Sequence, residues 1–215
     1  MWRRTITFLL SLLSIVMAEA TNHYFKHLGV SDGLSQVCIP SIYQDELGAV
    51  WLGTTEGLNR YNGKDVRVFQ PSESNHGLTN NEINELCGDK NGRMYIRSGN
   101  DLIKLDIYTE QFTCLRQKGV YGLFCKKDTL WVSCADGIYY YTGQGTELTF
   151  FARVQKGFVG RALYVDRETV WVVTRKYLVA ISREDPLRQE ILLTLDKGNC
   201  ILGDSSGNIW VGAWN

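Results

Sequence analysis

An aromatic residue returns along this 215-residue chain at nearly even intervals, and no other feature constrains the fold as tightly. Trp51, Tyr95, Trp131, Trp171 and Trp210 recur with a mean period of about 40 residues, the length of a four-stranded propeller blade. The first two units align without a gap at an offset of 44 residues. Phe25 falls on Phe69, Gly33-Leu34-Ser35 on Gly77-Leu78-Thr79, Asp45 on Asp89, Gly48 on Gly92, Leu58 on Leu102 and Tyr61 on Leu105. Three residues after each aromatic stands a small side chain: Thr54, Ser98, Cys134, Thr174 or Ala213. Seven after it comes Leu58, Leu102, Ile138 or Leu178, and ten after it Tyr61, Leu105, Tyr141 or Ile181. Each unit therefore reads as four short strands. In the first unit they run through Ile42-Tyr43, through Val50-Trp51-Leu52, through Leu58 and Tyr61, and on to an end near Phe69. Short alternating runs between glycine turns specify antiparallel sheets. Outside the first twenty residues no window carries a 3.6-residue apolar stripe. The repeat predicts an all-β fold, a partial β-propeller of about four full four-stranded blades and an incomplete fifth.

Composition agrees. Apolar residues make up 44% and charged residues 21%, which is globular and not disordered. Glycine (21) far outnumbers proline (3), and aromatics reach 12%, as tight turns between aromatic strands require. Lys+Arg and Asp+Glu are equal at 23 each, so electrostatic binding of nucleic acid or an anionic membrane is excluded as the main activity.

The turn before the aromatic has the form D-x-x-G at Asp45-Glu-Leu-Gly48, Asp89-Lys-Asn-Gly92 and Asp204-Ser-Ser-Gly207. An Asp there accepts bonds from turn amides while Gly supplies a positive φ, so a carboxylate repeated in each blade is read as structural and not as a metal ligand or catalyst. The third and fourth units shorten this turn (Cys125 to Trp131, Asp166 to Trp171) and lose the glycine. A sialidase-type box would place Asp and Gly as D-x-G, and the arginine cluster such an enzyme needs is not evident. His23, His27 and His76 are not spaced as ligands of a metal. Gly143 and Gly145 form a lone G-x-G beside no helix, which does not support a nucleotide cofactor. No catalytic, cofactor-binding or metal-binding residue is assigned, and no cofactor.

Residues 1–20 read as a signal peptide: Arg3 and Arg4, an apolar run from Ile6 to Met17, then Ala18-Glu19-Ala20. The mature chain is expected to begin at Thr21 and to form one incomplete propeller over 21–215. In that oxidising setting the six cysteines (Cys38, Cys87, Cys114, Cys125, Cys134, Cys200) allow fifteen pairings, and their spacing selects none. Most fall in apolar runs, as in Leu123-Phe124-Cys125, so they are read as small buried hydrophobes in preference to disulfides.

The unit from Gly33-Leu34-Ser35 through Ile42-Tyr-Gln-Asp45-Glu-Leu-Gly48-Ala-Val-Trp51-Leu-Gly53-Thr54-Thr-Glu-Gly57-Leu58 to Tyr61-Asn-Gly63 closely resembles the two-component regulator propeller repeat. Asp204-Ser-Ser-Gly207-Asn-Ile-Trp210-Val-Gly212 resembles a further copy, and the resemblance extends over residues 24–215. It implies the periplasmic sensor half of a hybrid two-component system of gut Bacteroidetes, a histidine kinase anchored in the inner membrane. It also implies seven-bladed rings, and a parent that detects glycan breakdown products and switches on genes for their use. This chain, which has no kinase segment, is then a non-enzymatic, ligand-sensing N-terminal portion of such a sensor. The alternatives are an exported propeller enzyme acting on glycans and a non-catalytic interaction scaffold.

Its expected partners are an oligosaccharide in the parent, and neither nucleic acid nor a membrane span beyond the leader. Tyr24 to Leu28 is expected to be an outermost strand with no blade to complete. The open ends of the arc are expected to promote self-association and to leave the isolated chain without useful glycan affinity.

Overall fold

The computed structural model describes residues 25–71, 77–116 and 118–214; the expected signal peptide, residues 1–20, and Thr21 lie outside them. The described residues form five antiparallel sheets in chain order, each a simple meander. Sheet one holds β1 (Ser41–Gln44), β2 (Val50–Thr54), β3 (Gly57–Tyr61) and β4 (Val66–Phe69). Sheet two holds β5 (Ile83–Gly88), β6 (Arg93–Ser98), β7 (Asp101–Asp106) and β8 (Gln111–Arg116). Sheet three holds β9 (Val120–Lys126), β10 (Thr129–Cys134), β11 (Gly137–Tyr141) and β12 (Thr149–Ala152). Sheet four holds β13 (Gly160–Val165), β14 (Thr169–Thr174), β15 (Tyr177–Ser182) and β16 (Gln189–Thr194). Sheet five has only β17 (Gly198–Gly203) and β18 (Ile209–Ala213). Two 3₁₀ turns, Val30–Asp32 and Gln155–Gly157, are the only helical elements among the described residues. This is the partial propeller of four blades and part of a fifth that the repeat predicts.

Successive sheets stack on three apolar cores. Trp51, Leu58, Phe69, Ile83, Met94 and Ile96 fill the first. Tyr95, Leu102, Leu123, Leu130 and Tyr141 fill the second, and Trp131, Ile138, Leu163, Val170 and Val172 the third. Every repeated aromatic lies on the second strand of its sheet. Trp51 and Tyr95 are fully buried, whereas Trp210 is 61% exposed because no described sheet follows it. An equivalent place in the repeat would bury all five aromatics between blades, and Trp210 departs from that. The small residue three places on is also explained. Thr54 Oγ1 donates to the Gly57 carbonyl at 2.9 Å and accepts from the Glu56 amide at 3.0 Å, closing the hairpin from within. Thr174 does the same around Tyr177 and Lys176.

The first strands meet at regular seams. Ser41 Oγ accepts the Leu86 amide of the next sheet at 2.8 Å, and Glu85, in the equivalent position, accepts the Leu123 amide at 3.1 Å. Glu85 also pairs with Arg97 at 3.4 Å, but burial outweighs that ion pair and pushes its carboxyl up to about 7.

Two sequence expectations need correction. Phe25 to Leu28 forms no strand, and Phe25 is 85% exposed. An outermost strand needs the third strand of another blade to pair with, and β3 is already covered by β4. Cys38 and Cys200 are exposed, Cys38 in the loop before β1 and Cys200 on the uncovered last sheet, so the buried-thiol reading fails for those two.

Truncating Trp51 to Ala should cost about 3–5 kcal/mol in equilibrium unfolding, and Trp210→Ala well under half of that. Urea titration of the two variants measures the difference. Glu85 gives a pH signature. Its folded pKa lies above the ordinary 4.5, so its contribution is complete below that pH and is lost as pH rises through about 7. Wild-type melting temperature should fall from pH 5 to 8 relative to Glu85→Gln, which should show a flatter profile in the same scans.

Candidate functional site

The two ends of the arc differ in chemistry, and the strand order decides which residues reach each end. At one end lie the turns from first to second strands, which carry the repeated aspartates. Asp45 Oδ1 accepts the amides of Leu47 (3.0 Å) and Ala49 (2.9 Å), and its Oδ2 accepts Trp51 Nε1 at 2.8 Å. Asp204 repeats the pattern with the amides of Ser206 and Asn208 and with Trp210 Nε1 at 2.9 Å. Asp166 preserves it in a turn one residue shorter: the amides of Glu168 and Thr169 bind Oδ1, and Trp171 Nε1 binds Oδ2 at 2.6 Å. In sheet two the indole is replaced by Tyr95, and the Arg93 side chain donates to Asp89 instead. Gly48, Gly92 and Gly207 hold φ near +85° (84°, 83° and 86°), where a side chain would be strained.

Electrostatics follow from this bonding. Asp204 is held at about 2, first by the Trp210 indole and then by the Asn208 side chain and amide. For Asp166 partial burial acts upward, but the Trp171 indole and the two amides outweigh it and keep the carboxyl below its ordinary value. Carboxylates saturated by their own turns are latches for the indole and have no free oxygen to offer a metal or a substrate.

Sheet three breaks the pattern. Lys126 occupies the place five residues before Trp131 that Asp166 holds before Trp171, and its Nζ donates to the Val165 carbonyl at 2.7 Å. Arg183 lies over the Trp131 ring at 5.6 Å and donates to the carbonyls of Asp166 and Arg167. A cavity of about 630 Å³ at this end is lined by Lys126, Asp166 and Arg183, engaged as described, together with Lys127 and Arg167.

The opposite end gathers the starts of first strands and the turns from second to third strands. Two adjoining cavities of about 320 and 280 Å³ open there and share Arg161 and Arg175. Lys176 and Lys197 complete a set of four exposed cations, and none of the residues lining either cavity is acidic. Tyr121, Phe158 and Trp214 supply aromatic walls; Phe158 is set by its ring contact with Tyr177 at 4.9 Å. The ion pairs formed by described residues engage Arg60, Arg67, Arg93, Arg97 and Arg116 and leave these four cations out. Cations beside aromatic walls can bind an anionic group while the aromatic faces stack a sugar ring or other flat apolar face.

No residue of this cleft is assigned by the sequence reading, because its members come from five separate strand ends. One signal was legible. The dipeptide after the small residue is Thr55-Glu56, Gly99-Asn100 and Ala135-Asp136 in the first three units, but Arg175-Lys176 in the fourth.

Fold and latch together define a propeller-type repeat arc with a cationic cleft at one end. Residues 33–56 match the family model described as two component regulator propeller, the repeat that the sequence resembles. Histidine kinase P4 of Formosa agariphila is 38% identical over 63 residues, which is 29% of this chain and 5% of that protein. In fold, the chain is similar to the extracellular domain of a B. thetaiotaomicron protein described as a hybrid two component system, BT3049. The TM-score is 0.76 at 23% identity, over 87% of this chain and 29% of that one. The extracellular domain of the B. thetaiotaomicron one component system BT4673 superposes with a TM-score of 0.72 at 18% identity, over 89% of this chain and 31% of that one. The chain thus spans under a third of the length of each of these relatives.

Removing both shared arginines (Arg161→Ala with Arg175→Ala) should leave the melting temperature within about 2 °C of wild type, since exposed unpaired cations contribute little to stability. Differential scanning calorimetry checks this.

Proposed function

We propose that this chain is the extracytoplasmic, ligand-facing portion of a hybrid two-component sensor whose parent detects glycan breakdown products and regulates genes for their use. The observation that carries the reading is the two-component regulator propeller repeat at residues 33–56, together with the similarity in fold to extracellular domains of such systems. Export through the leader fits it. The cleft of Arg161, Arg175, Lys176 and Lys197 beside Tyr121 and Trp214 supports an acidic oligosaccharide as the ligand, its carboxylate or sulfate meeting the cations while a ring lies on an aromatic face. Signalling itself belongs to the parent. On this reading the chain supplies a binding surface.

A single arc offers one wall of a ring, so affinity in isolation is low. Titrated with acidic oligosaccharides, the protein should show millimolar or weaker binding, seen as movement of the Trp214 indole N–H resonance. Neutral oligosaccharides of equal length should leave it in place. Equal response to both, or none to either, contradicts the reading. The open ends act in the same direction. Leu202 (64%), Trp210 (61%) and Trp214 (65%) are exposed on and beside sheet five, and uncovered strand edges and faces favour association. Light scattering on residues 21–215 should find self-associated protein, and a cooperative monomer would contradict that expectation.

A further inference from the structure

The seams between first strands follow a rule that singles out two cysteines. The first-strand residue facing the repeated aromatic is Tyr43, Cys87, Phe124, Tyr164 and Leu202 in sheets one to five. The residue after it is Gln44, Gly88, Cys125, Val165 and Gly203. Across a seam, the first of these positions packs on the second of these positions in the next sheet. Tyr43 lies so close over Gly88 that a Cβ there would collide with its ring and hydroxyl, and Tyr164 lies over Gly203 in the same way. At the seam between sheets two and three the pair is Cys87 with Cys125, and the two Sγ atoms stand 2.9 Å apart. That is well inside ordinary contact of two sulfurs and a small movement from a covalent bond. The seam is also held two residues earlier by the Leu123 amide, which donates to the Glu85 carboxylate at 3.1 Å.

We propose that Cys87 and Cys125 are the two halves of a disulfide that staples the second sheet to the third. Two of the other seams fill this place with a large ring over glycine, and the third has Phe124 and Val165 at these positions; here two small side chains meet, and a covalent bond supplies the contact that they are too small to make by packing. The bond is made by thiol–disulfide exchange with a protein disulfide donor of the oxidising compartment. One cysteine thiolate attacks the donor disulfide and releases one donor thiol, and the resulting mixed disulfide is then attacked by the second cysteine. Two protein thiols lose two electrons and two protons, and the donor disulfide gains them as two thiols. Both cysteines are partly buried, and burial pushes the Cys87 thiol well above its ordinary value, so exchange belongs to the stage at which sheets two and three dock. Cys38, Cys114, Cys134 and Cys200 have no such partner at a seam position and stay as thiols.

The test takes the full chain exported through its own leader or, if intact mass shows that the leader is retained, the full chain refolded in a glutathione redox buffer. Free thiols are blocked under denaturing conditions, so aggregated protein is scored equally well. Trypsin then releases peptides 68–90 and 119–126, each holding one cysteine. The proposal expects these two joined by mass spectrometry before reduction and separate after it, and four blocked cysteines out of six. Reductant should lower the melting temperature by about 5–10 °C in wild type and leave Cys87→Ser and Cys125→Ser unmoved. Complete blocking of Cys87 and Cys125 without reductant overturns the proposal, as does a bond from either one to a different cysteine.

Discussion

The bond from a tryptophan indole to an aspartate in the turn that leads into its strand organises this protein. A propeller blade must hold a tight turn and a bulky aromatic in fixed relation, because the turn caps the sheet while the aromatic wedges against the neighbouring sheet. One carboxylate does both. Its first oxygen orders the turn amides, and its second fixes the indole, as at Asp45 and Trp51. An ionised acceptor bonded to three N–H groups is stabilised well beyond a neutral pair, and this tolerates its burial. The arrangement survives loss of the glycine and a shorter turn at Asp166, and survives loss of the indole at Tyr95 because Arg93 takes over as donor. Where it fails, at Trp131, a cation over the ring and Lys126 on a neighbouring carbonyl occupy the space.

The strands, their order and the latch aspartates were legible in the sequence because each is a local, repeated pattern. Alternation around Ile42-Tyr43 and Val50-Trp51-Leu52 is enough to place two strands, and D-x-x-G is enough to place the turn between them. What was not legible depends on how one sheet sits on the next. Nothing local distinguishes Trp210, exposed on the last sheet, from Trp51 in the first core. Phe25 copies Phe69 in the alignment yet lies in irregular chain, because a strand needs a partner that sequence similarity does not supply. The cationic cleft likewise draws Arg161, Arg175 and Lys197 from three separate segments, and only the Arg175-Lys176 turn stood out against its counterparts.

The bonding of polar side chains differs between the two ends of the arc. At the aspartate end the latch carboxylates bind their own turns, and Lys126 and Arg183 donate to carbonyls. The opposite end sets Arg161, Arg175, Lys176 and Lys197 beside Tyr121, Phe158 and Trp214, with no acidic residue in the lining. The seams between first strands carry the remaining specificity. They pair large with glycine, hydroxyl or carboxylate with amide, and in one place thiol with thiol.

The central claim is that the buried carboxylate, and not merely the apolar aromatic, holds the blade together. Equilibrium unfolding of Asp45→Ala tests it most directly, with Glu147→Ala, an exposed residue of a polar loop, as the comparison. The account predicts a loss of about 2–4 kcal/mol for Asp45→Ala and a change within about 0.5 kcal/mol for Glu147→Ala. Equal unfolding midpoints for the two variants would contradict it.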